Sequence, residues 1–154
     1  MERNRKPGPE CIRKAQPKDA HTVAELMAEL WPKTPAGEFA GMETVLAEMD
    51  GAVFLCETEG RAAGFAECSL RHDYVEGTRT SPVGYLEGIY VREADRHRGI
   101  ARRLLEACEK WAAEQGCREF ASDCELTNTE SQAFHQAVGF REVNRIVAYT
   151  RKLS

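Results

Sequence analysis

The chain has 154 residues, 42% apolar and 30% charged, with a formal net charge of −4. This is one domain of ordinary size with enough apolar residues for a core, and its acidic balance argues against a nucleic-acid partner, which calls for a basic protein. No apolar run reaches the length of a membrane span and no apolar stretch near the start offers an export signal, which points to a cytoplasmic protein with no membrane contact.

Residues 1–10 are basic and polar, contain Pro and Gly, and read as a disordered lead-in to a single domain over residues 11–154. Residues 11–15 form a short strand. A helix over 17–31 places Val23, Leu26, Met27 and Leu30 on one face, and Pro32 and Pro35 end it. A second helix carries Phe39, Met42, Val45, Leu46 and Met49 and stops at Asp50-Gly51. Residues 52–58 and 61–70 are strands joined at Glu59-Gly60, a hairpin signal. A polar excursion over 71–83 leads to a strand over 84–91.

A long amphipathic helix over 98–115 then aligns Ile100, Leu104, Leu105, Cys108 and Trp111, with Gly116 as its C-cap. Residues 119–124 form a fifth strand, a helix capped by Asn128 ends at Gly139, and 140–153 close the chain as one long or two short strands. The order β-α-α-β-β-β-α-β-α-β describes an α/β sandwich with a mixed sheet. Of the six cysteines, Cys11, Cys56, Cys68, Cys117 and Cys124 fall on predicted strands and Cys108 on an apolar helix face, with no Cys-x-x-Cys. They read as small buried hydrophobes, and no histidine pair stands at ligand spacing, so no metal is expected.

The chemistry begins at Arg96-His97-Arg98-Gly99-Ile100-Ala101, between an apolar strand and the long helix. A turn of this kind leaves backbone N–H groups and the helix dipole aimed at one point, a seat for a pyrophosphate. Gly99 lets the backbone approach the phosphates, Ala101 adds little bulk, and the arginines add charge. With the segment from Asn128 to Phe140, a capped helix ending at Gly139, this turn resembles the coenzyme A-binding core of the GCN5-related N-acetyltransferase superfamily.

The resemblance implies a mixed, mostly antiparallel sheet with a central splay, flanked by helices on both faces. It also implies acetyl-CoA as co-substrate, with its pantetheine arm paired to the backbone of Ile89, Tyr90 and Val91. Gly88 is placed to mark a bulge at that splay, since glycine inside a strand often signals a break in pairing.

Glu87 sits in the apolar run Tyr-Leu-Glu-Gly-Ile-Tyr, where an unpaired carboxylate is costly, and Asp123 ends the next apolar strand. Two acids at adjacent strand ends form an anionic pocket for a cationic acceptor; the alternatives are a salt bridge for Glu87 and a capping role for Asp123. The stretch Arg71–Val91, with Tyr74-Val75-Glu76-Gly77-Thr78 and Ser81-Pro82-Val83-Gly84-Tyr85-Leu86-Glu87-Gly88, is similar to the aminoglycoside 6′-N-acetyltransferases. That resemblance implies that Trp31, Tyr74, Glu87 and Asp123 line an aminoglycoside site, that Asn128 contacts the coenzyme A arm, and that the enzyme is a homodimer. Trp31 ends an apolar helix face, so core packing is its alternative.

His135 stands where many superfamily members carry the tyrosine that protonates the leaving thiolate, and is a candidate for that step, with a structural role as the alternative. Asn144 stands where close relatives can carry an acid that touches substrate. The reading is an acetyl-CoA-dependent transferase acting on the 6′-amine of aminoglycosides, with Glu87 or Asp123 accepting the amine's proton. Rival readings are the same fold acting on another amine, and an acyl-CoA sensor without turnover.

Overall fold

A computed structural model describes residues 10–154 of the protein, so all but the last residue of the expected lead-in lies outside the described residues. That last residue, Glu10, faces Arg98 and Arg103 of a later helix start. The strands are β1 (Cys11–Lys14), β2 (Gly51–Thr58), β3 (Arg61–Arg71), β4 (Val83–Val91) and β5 (Phe120–Ser122), in the spatial order β1-β2-β3-β4-β5. Neighbours are antiparallel except β4 and β5, which run parallel. Glu59 (φ 52°) and Gly60 (φ 75°) are both left-handed, as the tight β2–β3 hairpin requires.

The helices are α1 (Ala20–Leu30), α2 (Met42–Glu48), α3 (Ile100–Glu114) and α4 (Thr129–Ala137). Helices α1 and α2 lay Val23, Leu26, Met27 and Met42 on Val53, Leu55 and Phe65. From the other face, Ile100, Leu104, Leu105 and Cys108 of α3 meet Ala52, Ala66, Cys68, Leu86 and Val91. A sheet covered on both sides needs apolar residues at successive positions, which is why β2 and β3 read as runs rather than as alternations. Each large aliphatic side chain buried here contributes about 1.5–3 kcal/mol. The C-terminus of α3 is closed by Gly116 at φ 93°, with Gly116 N–H donating to the Ala113 carbonyl and Cys117 N–H to that of Ala112.

Several boundaries differ from the expectation. Residues 17–19 form a 3₁₀ turn ahead of α1, and the second helix divides at Gly41 (φ 75°) into a 3₁₀ turn, Ala36–Phe39, and α2. Helix α3 begins at Ile100 because Gly99 is left-handed. Cys117 and Cys124 lie just outside strands, and all six thiols are free.

The largest correction concerns residues 141–154, which form no strand. They leave the body across the 71–83 excursion, where Asn144 Nδ2 donates to Glu76 Oε1 at 3.0 Å and Val143 sits against Gly77. Ile146, Val147, Tyr149 and Leu153 are then exposed. Their strand-like composition lacks a partner strand among the described residues. Among the described residues no helix is long and apolar enough to cross a membrane, and no group of three His, Cys, Asp or Glu side chains is placed to hold a metal.

Candidate active site

Two features of β4 create the site. Its pairing with β5 covers only Gly84, Tyr85 and Leu86, after which the chain leaves β5 at Asp123 while β4 runs on to Val91. Glu87, Gly88, Ile89, Tyr90 and Val91 therefore present an edge without a β5 partner: the expected splay. On the β3 side Leu86 pairs with Cys68 and Gly88 with Glu67, leaving Glu87 as the extra residue of a bulge. A bulge turns two successive residues to one face. Leu86 packs towards α3, whereas Glu87 and the open side of Gly88 both face α1.

The edge and the turn beyond it form the cofactor half. Ile89 and Val91 pack their side chains into the α3 core and Tyr90 packs towards α1, so the main chain is what the edge offers. The turn Arg96–Ala101 carries His97 at φ 66° and Gly99 at φ 76°, and nothing lies within 4 Å of the position a Cβ on Gly99 would take. The first-turn N–H groups of α3, as at any helix start, have no intrahelical acceptor and carry the positive end of the helix dipole.

The arginines are less free than their exposure suggests. Arg96 Nε donates to the Val91 carbonyl at 2.8 Å, and Arg98 Nη1 lies 3.7 Å from Asp95 and 3.8 Å from Glu10. Asp95 is fully buried and accepts from Arg61 Nη1 and Nη2 at 2.5 Å, which holds its carboxyl below the usual range and fixes the turn. Asn128 Oδ1 accepts from Ser131 N–H as the α4 N-cap, which leaves its amide nitrogen as the group it can offer a ligand.

On the α1 face, an open cavity of about 440 Å³ is lined by Trp31, Val45, Met49, Asp50, Glu67, Ser69, Leu70 and Glu87. Trp31 stands edge-on to Phe65 at 6.1 Å and covers Gly88 so closely that a Cβ there would lie 2.7 Å from its ring. Glu87 accepts from Ser69 Oγ at 2.6 Å and from Arg71 Nη2 at 3.0 Å to both oxygens. Arg71 in turn lies over the Tyr85 ring at 3.5 Å, and the Tyr85 hydroxyl donates to Asp123. Burial first, and the Asp123 contact second, push the Tyr85 hydroxyl pKa up, so it stays a donor. The acids expected from sequence are thus joined through Arg71 and Tyr85.

Other expected residues lie further out. Tyr74 is 78% exposed on the 71–83 excursion, which Glu119 anchors by accepting from the N–H groups of Arg79 and Thr80 at 2.8 Å. Asn144 is exposed on the C-terminal arm and bonded to Glu76, outside the cavity lining. His135 has both ring nitrogens engaged, Nδ1 with the Ser131 carbonyl at 2.7 Å and Nε2 with Ser122 Oγ at 2.8 Å, and packs on Phe140. It ties α4 to β5.

Glu67, Ser69 and Arg71 had no place in the sequence expectation. Glu67 lies in Phe-Ala-Glu-Cys-Ser, an acid inside an apolar strand like Glu87, and that anomaly was the available signal. Burial, reinforced by the neighbouring Glu87, raises its carboxyl pKa above the usual range.

Comparison with known proteins agrees with this architecture. Residues 20–140 match the acetyltransferase (GNAT) family. An aminoglycoside N(6′)-acetyltransferase type 1 of Stenotrophomonas maltophilia is 45% identical over 92% of this chain and 93% of its own, and one of Salmonella typhimurium is 44% identical over 82% and 88%. The solved aminoglycoside N-acetyltransferase AAC(6′)-Iy superposes with a TM-score of 0.89 at 40% identity, over 94% of this chain and 99% of its own; that structure holds a bisubstrate analog, CoA-S-monomethyl-acetylneamine. The chain belongs to the acetyltransferase (GNAT) family, in the branch of the type 1 aminoglycoside N(6′)-acetyltransferases.

Proposed function

We propose that this protein transfers the acetyl group of acetyl-CoA directly to the 6′-amino group of aminoglycosides, within one ternary complex formed by a single domain over residues 11–154. The observation that carries the reading is the shared bulge: Glu87 and Gly88 end the β4–β5 pairing on one side and open the acidic cavity on the other. Donor and acceptor then meet across one strand, which converts a bimolecular encounter into a positioned one.

The free β4 edge and the uncrowded left-handed Gly99 suit an extended arm that ends in a pyrophosphate. In this reading Ile89, Tyr90 and Val91 hold the arm by main-chain groups, Arg96, His97, Arg98, Gly99, Ile100 and Ala101 cradle the pyrophosphate, and Asn128 offers its amide. Acetyl-CoA, when bound, supplies the activated thioester. Glu87 and Asp123 attract ammonium groups, the faces of Trp31 and Tyr74 receive the sugar rings, and Asn144 meets the substrate rim. His135 acts as a positioning residue that keeps α4 and its Asn128 cap against β5.

The same reading places the enzyme in the cytoplasm, where acetyl-CoA is made, and pairs it as a homodimer. The exposed apolar residues of the 141–154 arm support a second copy as their partner, as does a 360 Å³ groove beside β5 lined by Ala112, Phe120, Val138 and Phe140. Ending the chain after Glu142 is expected to give a monomer by light scattering. Thiol release from acetyl-CoA tests the activity: kanamycin A and tobramycin, with a 6′-amine, turn over, and G418, with a 6′-hydroxyl, does not. Equal turnover of both classes would overturn the 6′ assignment.

A further inference from the structure

Of the two carboxylates that the sequence offers as proton acceptor, Glu87 is already engaged. Both oxygens of Glu87 accept from Arg71, and one also from Ser69, so protonating Glu87 would break a bidentate ion pair. Glu67 presents the opposite situation. Its side chain lines the same cavity, its backbone pairs across the ladder with Gly88 at the bulge, and among the described residues its carboxylate has no hydrogen-bond or ion-pair partner. An unpaired carboxylate inside a central strand is costly, and a fold retains it at a loss of stability unless a ligand completes it.

We propose that Glu67 is the general base of the reaction, taking the proton from the acceptor's ammonium group. The inference rests on the acetyltransferase reading above. One ammonium proton passes to a Glu67 oxygen and on to solvent, freeing the nitrogen lone pair. The C–N bond then forms as the C–S bond breaks, the electron pair leaves with sulfur, and a second nitrogen proton ends on that sulfur as the free thiol. The sum is ammonium plus thioester giving amide, thiol and one proton.

The surroundings suit that task. Glu87 of β4 faces Glu67 with its charge answered by Arg71 of β3, and Asp50, ahead of β2, is paired with His72 at 2.7 Å. From α2 comes Val45, and from the residues that end α1 and α2 come Trp31 and Met49, so that side of the lining carries no charge. Behind the sheet lie the Cys68 and Cys108 thiols, and the Cys68 contact together with burial pushes the Cys108 thiol up, keeping it neutral. Burial and the Glu87 charge raise the Glu67 pKa, moving the carboxyl towards the operating pH at which a general base works best.

The test compares wild type with Glu67→Gln and Glu67→Asp, using whichever amine the wild type turns over. Wild-type turnover of another amine but of no aminoglycoside overturns the aminoglycoside reading alone and leaves the Glu67 comparison intact. For Glu67→Gln the expected result is a kcat about 100-fold lower, loss of the acid limb of the kcat/KM profile, and an unchanged KM for acetyl-CoA, which also reports that the protein is folded. Glu67→Asp is expected to restore the acid limb at a reduced rate. A Glu67→Gln enzyme that keeps both kcat and the acid limb overturns the proposal, and so does one whose only change is a raised acceptor KM.

Discussion

From Ile89 to Ala101 the site is mostly main chain: a strand edge that β5 abandons, a left-handed glycine, and the first turn of α3. From Trp31 to Asp123 it is side chains: an indole at the end of α1, Glu67, Ser69 and Arg71 on β3, Glu87 on the bulge, and Tyr85 with Asp123 beyond it. The first half is sensitive to anything that changes backbone shape or charge at one turn, and indifferent to most side chains nearby. The second can be retuned one residue at a time, because each carboxylate has its own partner or none. A shared co-substrate suits a backbone seat, and a variable acceptor suits a set of side chains.

The sharpest way to break this comparison is Gly99→Asp. It forces a side chain into a left-handed position and puts a negative charge where phosphate is expected, so the KM for acetyl-CoA is expected to rise about 100-fold while circular dichroism stays unchanged. Unchanged affinity in the folded variant would remove the pyrophosphate seat from the argument.

A smaller effect is expected on the other side. Gly88→Ala drives a methyl against the Trp31 ring, and because the indole must move, the acceptor KM is expected to rise about 10-fold, more than that of acetyl-CoA. Equal changes in both constants would mean that the bulge does not separate the two halves.

Glu67→Gln sharpens the contrast through stability. Because the folded pKa of Glu67 is raised, its penalty is absent below the unfolded pKa and complete above the folded one. The variant is therefore expected to melt higher than wild type at pH 8, by about 2–4 °C for each kcal/mol recovered, and at the same temperature as wild type at pH 3. A lower Tm at pH 8 would show that Glu67 has a partner within the fold.

The smallest effect lies outside both halves. Arg13 holds Asp19 at 2.8 Å and lowers its pKa from 3.8 to about 2. The contribution of this pair is complete above the ordinary carboxylate range and is lost as the pH falls from 3.8 to about 2. Asp19→Asn is expected to cost about 1 kcal/mol at pH 7, nothing below pH 2, and to leave both KM values unchanged, as thermal melts and steady-state assays would show.

The two halves were also unequally legible. The turn that opens α3 could be read because its signal is contiguous: Arg96, Gly99 and Ala101 sit next to the helix they start. Gly88 announced its bulge because an isolated glycine in a strand has few other uses. Glu87 was found as an acid in an apolar run, yet its commitment to Arg71 was not, because cross-strand pairing depends on register and the bulge shifts that register by one. Glu67 was passed over although it shows the same anomaly. The closing strands were expected from a β-like composition that has no partner strand among the described residues.

By itself the sequence determined the four helices, the first five strands to within a few residues, and the turn at Gly99, but not the fate of residues 141–154. These follow from periodicity and from residues adjacent in the chain. Only the tertiary structure decided which carboxylate is paired and which is free, and that His135 ties α4 to β5 with both nitrogens engaged. Side-chain hydrogen bonds between Ser69 and Glu87, Arg71 and Glu87, or Ser122 and His135 join residues 13–18 positions apart. No local pattern encodes such a pair, because what brings its members together is the register of the sheet and the packing of a helix onto it.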